Sequence, residues 1–197
     1  MSVPIFQQTP WQQSSECDPA KAALVVIDVL GGSEGAAPGT EEMAANCVKL
    51  AKACRAKGVP VIFVSDTHVK AYDREIELWG EHGMAGTEGC KPLDEFEIAE
   101  TDVLIPKRRY NAFFQTDLDL TLSELGVDTI IACGWDTNIC VLQTLAGAYF
   151  LGYRSIVPAD ATVALLTDLT KEDGLKYFTR CYDTRVVDTE TVLGYLA

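Results

Sequence analysis

The chain has 197 residues, with 29 acidic against 16 basic side chains and a formal charge of −13. That length suits one domain with a sizeable core. The negative balance repels phosphate backbones and anionic bilayers, which argues against nucleic acid and membrane surfaces as partners. No signal-peptide pattern opens the chain, and no apolar run reaches the roughly 18 residues of a membrane span. Seven cysteines, an odd number without a CxxC pair, fit a reduced cytoplasmic protein better than a disulfide framework.

Residues 1–20 carry Gln, Ser and Pro without a period. They read as an N-terminal arm able to wrap a neighbouring subunit, with the domain proper over 21–197. Ala22–Ile27 (AALVVI) is a continuous apolar run of the kind a buried parallel strand needs, and it stops at Asp28. A Gly-rich loop over Gly31–Gly39 follows. Glu41–Lys57 places Met43, Cys47, Leu50, Ala51 and Cys54 at helical spacing, with Gly58 to end the helix. Val59–Val64 is the second strand.

From Thr67 to Asp94 no period survives. Both His residues and Trp79 lie in this stretch, and a loop of that length inside a compact domain is more often functional than not. Asp102–Pro106 is a third strand ending at Lys107. Asp117 is placed to cap a short helix through Leu125. Val127–Cys133 is a fourth strand, Thr137–Leu151 a helix closed by Gly152, and Tyr153–Pro158 a fifth strand. Lys171–Cys181 is helical, Arg185–Val187 a sixth strand, and Thr189–Tyr195 a last short helix. Strands alternating with helices predict an α/β fold, a mainly parallel six-stranded sheet in a three-layer α/β/α sandwich.

Asp28, Lys107 and Cys140 each follow an apolar strand directly or by a short turn, so a parallel sheet carries all three to its carboxyl edge. If strands one, three and four are neighbours, the three side chains converge. A thiol has an ordinary pKa of about 8.5. A helix N-terminus and a lysine beside Cys140 favour its thiolate, and Asp28 is placed to exchange the proton. Backbone N–H groups between Trp135 and Cys140 are candidates for an oxyanion hole. The chemistry this set suits is attack of sulfur on a carbonyl, loss of an amine, and hydrolysis of the thioester.

The strand LVVID ending at Asp28, the segment IPKRRYNAFFQTDLDLTLSELGVDTIIACG (Ile105–Gly134) and TNICVLQTLAGAYFLGYRSIVPAD (Thr137–Asp160) together resemble the isochorismatase-like cysteine hydrolases. That superfamily includes nicotinamidases and the carbamoylsarcosine and ureidoacrylate amidohydrolases. The resemblance spans most of residues 22–196. It implies Asp28, Lys107 and Cys140 as a catalytic triad, and a non-proline cis peptide at Trp135-Asp136 with the N–H groups of Asp136 and Cys140 as the oxyanion hole.

Asp66-Thr67-His68 and the later His82, in WGEHG, match the DxH and WPxHC motifs of nicotinamidases. The resemblance therefore implies a divalent metal on Asp66, His68 and His82; two imidazoles and a carboxylate suit zinc, and Asp73, Glu77 and Glu81 are nearby acids for an outer shell. Tyr110, Phe113 and Trp79 are candidate walls of the substrate pocket, and Phe114 and Trp135 are further candidates. The implied activity is hydrolysis of a small amide, nicotinamide or a relative, to acid and ammonia. Carbamoyl and ureido substrates, or a non-catalytic interaction protein on the same fold, are the alternatives. The expected partners are the small-molecule amide and further copies of the chain in a homo-oligomer. Departures from the family pattern (IDVLGGSEG after the first strand, WGEHG for WPxHC, Trp135 and Asp136 in the turn) ring the expected pocket and leave the triad intact.

Overall fold

A computed structural model describes residues 6–32, 37–165 and 168–196. Residues 1–5 of the arm and 33–36 of the Gly-rich loop lie outside the described residues. The strands are β1 (Ala22–Ile27), β2 (Val61–Asp66), β3 (Val103–Lys107), β4 (Thr129–Trp135), β5 (Arg154–Pro158), β6 (Thr162–Val163) and β7 (Arg185–Val187). They form one sheet in the order β3-β2-β1-β4-β5-β7, with β6 also on β4, and every pairing is parallel. The sheet therefore has seven strands where six were expected. The addition, β6, is two residues long and too short to leave a hydrophobic run. It pairs with Gly134 and Trp135, beyond the point where β5 leaves β4.

The helices are α1 (Pro10–Gln13), α2 (Thr40–Ala56), α3 (Glu75–Trp79), α4 (Leu118–Glu124), α5 (Leu142–Leu151), α6 (Lys171–Cys181) and α7 (Thr189–Tyr195). On one sheet face Met43, Cys47, Leu50, Ala51 and Cys54 of α2 pack with Val192 of α7 and with Leu24, Val26, Phe63 and Ile131 of the strands. On the other, Leu118 and Leu122 of α4, Leu145 and Ala148 of α5 and Phe178 of α6 cover Val25, Ile27, Ile62 and Ile130. Each such fully buried Leu, Ile or Phe contributes about 1.5–3 kcal/mol, so the two layers hold the sheet from both sides. None of the seven cysteines is in a disulfide, and four of them are buried. Among the described residues no helix is long and apolar enough to cross a membrane.

One local expectation needs correction. Asp117 stands at the N-cap of α4, but its side chain makes no cap hydrogen bond; Thr116 Oγ1 instead accepts the Leu118 N–H at 3.3 Å. The described part of the arm lies on its own chain. Gln12 Nε2 donates to the Thr179 carbonyl at 2.6 Å, Arg185 Nε donates to the Trp11 carbonyl at 3.1 Å, and the Arg185 guanidinium lies 3.9 Å from the Trp11 ring centroid.

The chain builds β1, β2 and β3 outward in one direction, then returns to the other side of β1 with β4. Reversal of strand order opens a crevice at the carboxyl ends of the strands. Here it falls between β1 and β4, just above Asp28 and the turn that follows Gly134.

Candidate active site

Strands one and three are not neighbours, contrary to the simplest convergence. β2 lies between them, and its last residue, Asp66, pairs in register with Lys107. Adjacent strands are about 4.8 Å apart, so a side chain on β3 must cross roughly twice that to reach β1. Lys107 is long enough. Its ammonium lies 2.8 Å from Asp28 Oδ2, 2.5 Å from Asp66 Oδ1 and 3.5 Å from Cys140 Sγ. Asp28, at φ +51° in the left-handed region that Asp tolerates, also accepts the Asp66 N–H at 2.7 Å. Asp66 thus belongs to the lysine cluster as well as to the histidines.

The electrostatics follow from burial. Lys107 is 1% exposed. Desolvation opposes its charge, but Asp28, Cys140 and Asp66 hold its pKa well above the ordinary value. Burial and the neighbouring Asp66 carboxylate push Asp28 up to about 6, against the pull of Lys107. Burial would raise Asp66 too, yet Lys107 and His68 keep it below the usual carboxylate range. Cys140 departs from the sequence expectation. Burial raises its thiol well above normal; Lys107 opposes this, and Asp28 and Asp66 reinforce it. Burial thus favours the neutral thiol, beside a carboxylate whose raised pKa makes it a stronger base than an ordinary aspartate.

The turn that carries Cys140 is built by small residues and one buried acid. Gly134 has φ +114°, and a Cβ there would lie 2.1 Å from the Ile27 carbonyl oxygen, so no other residue lets β4 run this close to β1. The Trp135-Asp136 peptide bond is cis. The expected helix over 137–151 begins with a π turn, Thr137–Val141, before α5. The Asp136 carbonyl accepts from both Ile139 N–H at 3.1 Å and Val141 N–H at 3.0 Å. The Asp136 side chain accepts the Asn138 N–H at 2.6 Å and the N–H of Leu165, which ties the turn to the segment after β6.

His82 and His68 stand on the far side of Asp66. Gly83 accounts for the last residue of WGEHG. Its φ is +49°, and a Cβ would lie 2.8 Å from Asp66 Cβ, so the loop closes onto Asp66 only with glycine here. His68 N–H then donates to the Gly83 carbonyl at 2.8 Å, and His82 is drawn alongside. Ligand atoms of Asp66, His68 and His82 lie within 4.8 Å of one another. His68 is fully buried, and neither of its ring nitrogens has a hydrogen-bond partner. Three carboxylates surround it: Asp66 at 3.7 Å, Asp73 at 3.6 Å and Glu75 at 3.8 Å. Orphaned buried donors are costly, and a nest of imidazole and carboxylate groups fits a cation. Asp28, Asp66 and Cys140 form a second such grouping, but there the Lys107 ammonium is already the positive charge.

Of the expected outer shell, Asp73 is buried and is held by the Val69 N–H, Arg108 and Arg109. Glu77 faces an outer groove, and Glu81 pairs with Lys70. Glu75 is the acid that sequence reasoning missed. It opens α3, inside a stretch whose sequence shows no helical period.

A cavity of about 220 Å³ opens over Cys140, Asp28 and Asp66, with Trp79, Tyr110, Trp135, Ile139 and Leu165 around it. A second, of about 490 Å³, shares Asp28, Asp66, His82 and Trp135 and continues toward Gly31 and Gly32. Trp79 and Tyr110 both line the smaller cavity, joined by a 2.7 Å hydrogen bond from Trp79 Nε1 to the Tyr110 hydroxyl. Phe113 does not. It stacks on Tyr153 with centroids 5.6 Å apart and packs in the core against α4 and α5, because the turn after β3 sends its ring inward. Ile139 and Leu165 escaped the sequence reading, since an apolar residue near a helix start carries no mark that separates a pocket wall from core.

A profile of the isochorismatase domain matches residues 22–191. The chain is 30% identical over 176 residues to the ureidoacrylate amidohydrolase RutB of Serratia proteamaculans, spanning 73% of this chain and 70% of that protein. Among solved structures, N-carbamoylsarcosine amidase of Thermoplasma acidophilum superposes with a TM-score of 0.80 at 34% identity, covering 86% of this chain and 97% of the other. Nicotinamidase PncA of Bacillus subtilis superposes with a TM-score of 0.77 at 26% identity, covering 85% and 99%.

Proposed function

The chain belongs to the isochorismatase family of hydrolases acting on amide bonds, and from that premise we propose that it cleaves a small amide to acid and ammonia through a thioester on Cys140. The observation that carries this is the Asp28–Lys107–Cys140 contact at the floor of a small cavity. Asp28 takes the thiol proton as Sγ adds to the substrate carbonyl carbon. The Lys107 ammonium offsets charge on sulfur and keeps Asp28 anionic until that moment. N–H groups of Asp136 and Cys140 receive the developing oxyanion. Asp28 then returns the proton to the nitrogen as the C–N bond breaks, and ammonia leaves. Water adds to the thioester, Asp28 again accepting its proton, and the acid departs with the thiol restored.

The cavity over Cys140 is smaller than the roughly 300–1,000 Å³ typical of ligand pockets, and it adjoins the space of about 490 Å³ with which it shares Asp28, Asp66, His82 and Trp135. Trp79, Tyr110 and Trp135 around it favour a flat ring such as nicotinamide. A carbamoyl or ureido substrate is the second reading, favoured by the 34% identity to N-carbamoylsarcosine amidase. Ammonia release from a panel of nicotinamide, N-carbamoyl amino acids and small ureas separates them. Turnover confined to the carbamoyl and ureido members would remove the aromatic reading, and an inert panel would remove both.

The donor set also supports a divalent cation. Asp66, His68 and His82 would hold it, and two imidazoles with one carboxylate suit zinc. Bound there, it would supply a positive charge to orient a lone-pair atom of the substrate. Purified protein is expected to carry about one metal per chain by elemental analysis, and His82→Ala to lower metal affinity at least tenfold. Wild-type protein that stays metal-free after incubation with zinc would sink the site.

A further inference from the structure

Outside the small cavity lies an open groove of about 700 Å³, bounded by Arg74, Glu77, Arg109, Asn111, Phe114 and Gln143. Tyr110 is the residue common to the groove and the cavity over Cys140. Trp79 lines the cavity, while Leu78, its neighbour on α3, lines the groove. The Trp79 indole N–H is hydrogen-bonded to the Tyr110 hydroxyl at 2.7 Å. This bonded pair therefore joins a wall of the cavity over the reacting sulfur to the edge of a groove about three times as large.

We propose that the Trp79–Tyr110 pair is a partition that limits substrate length on the groove side, by closing the cavity over Cys140 toward the groove. The inference rests on the reading of Cys140 as the nucleophile. A planar indole is a stiff barrier with two side-chain torsions, and its hydrogen bond removes the remaining freedom. Trp79 is 41% exposed, and its helix has five residues, so little core packing depends on it and it is free to act as a wall. A substrate with a longer acyl portion meets the indole face. With the indole gone, the same portion extends into the groove along Tyr110 and Phe114.

The test reads access with and without turnover. Ammonia release is measured on primary aliphatic amides and N-carbamoyl amino acids of increasing chain length. In parallel, alkylation of Cys140 by iodoacetamide and by its N-hexyl analogue is followed by peptide mass mapping. For Trp79→Ala the ratio of long-probe to short-probe rates should rise about tenfold or more in either readout, the scale on which pocket size discriminates. Tyr110→Phe, which keeps the ring and removes the bond, should give a smaller rise of the same sign. Gln143→Ala, on the groove side only, should leave the ratio unchanged. An unchanged ratio in Trp79→Ala would overturn the partition, as would a wild type that already accepts the longest probes. Turnover of no amide, with the alkylation ratio still shifted, would count against the hydrolase reading and for the partition.

Discussion

Replacing Cys140 with Ala is expected to lower ammonia release by roughly 10⁴–10⁶-fold, the scale seen when the nucleophile of an acyl-transfer unit is removed. The structure gives the reason for so large a loss. Cys140 is 6% exposed and is the thiol within reach of both Lys107 Nζ, at 3.5 Å, and the Asp28 carboxylate. Burial favours the neutral form of that thiol, so the proton must leave in the same step in which sulfur adds to the carbonyl. No nearby side chain can substitute: Asp28 and Asp66 are already engaged by Lys107. The measurement is single-turnover ammonia release, with intact-protein mass spectrometry to look for an acyl adduct on wild type that is missing from the variant. Equal ammonia from wild type and Cys140→Ala would end the thioester mechanism. An unreactive Cys140 with no turnover of any amide would favour a non-catalytic role for this fold.

Lys107→Met should lower the free energy of unfolding by about 3–5 kcal/mol near neutral pH, because it breaks a buried ion cluster by removing one partner. Methionine keeps most of the length and none of the charge. Asp28 and Asp66, 6% and 7% exposed, would then face each other without a cation. Lys107 is what lowers Asp28, whose pKa already stands at about 6 under burial and Asp66; without it the folded pKa rises further. An acid whose folded pKa lies above its unfolded value binds protons on folding. The penalty is therefore full at high pH and relieved as pH falls through the raised pKa. Urea melts at about pH 8 and about pH 5 should show the variant's deficit shrinking at the lower pH. Activity should fall by about 10²–10³-fold, as for loss of one preorganised charge. A variant as stable as wild type at both pH values would show that Lys107 does not hold the cluster together.

Much of this was legible beforehand, and the reasons are particular. AALVVI could only be a buried strand, so Asp28 had to stand at its carboxyl end. The helix over Lys171–Cys181 begins at Thr170, whose hydroxyl and Asp173 form a capping box, a local device that sequence displays in full. Met43, Cys47, Leu50, Ala51 and Cys54 lie on one helical face and are all buried. The turn around Cys140 was marked by Gly134, whose role rests on a carbonyl only 2.1 Å from where a Cβ would be. Phe113 was misread because an aromatic beside a candidate site looks the same in sequence whether it turns inward or outward. Glu75, Ile139 and Leu165 gave no sign, since their importance lies wholly in what they face.

The alternation of strands and helices, the two faces of the core and the chemical types delivered to the carboxyl edge of the sheet could all be read from local stretches of the chain. These follow from periodicity, caps and turns, which act over a few residues. The strand order that inserts β2 between β1 and β3 came from the packed fold. That order makes Lys107 reach across Asp66, which couples the carboxylate beside the histidines to the charge beside the thiol. The packed fold also favours the protonated Cys140 thiol. Burial and two carboxylates outweigh one lysine there, and burial is a property of everything packed around a residue, which no local stretch of sequence contains.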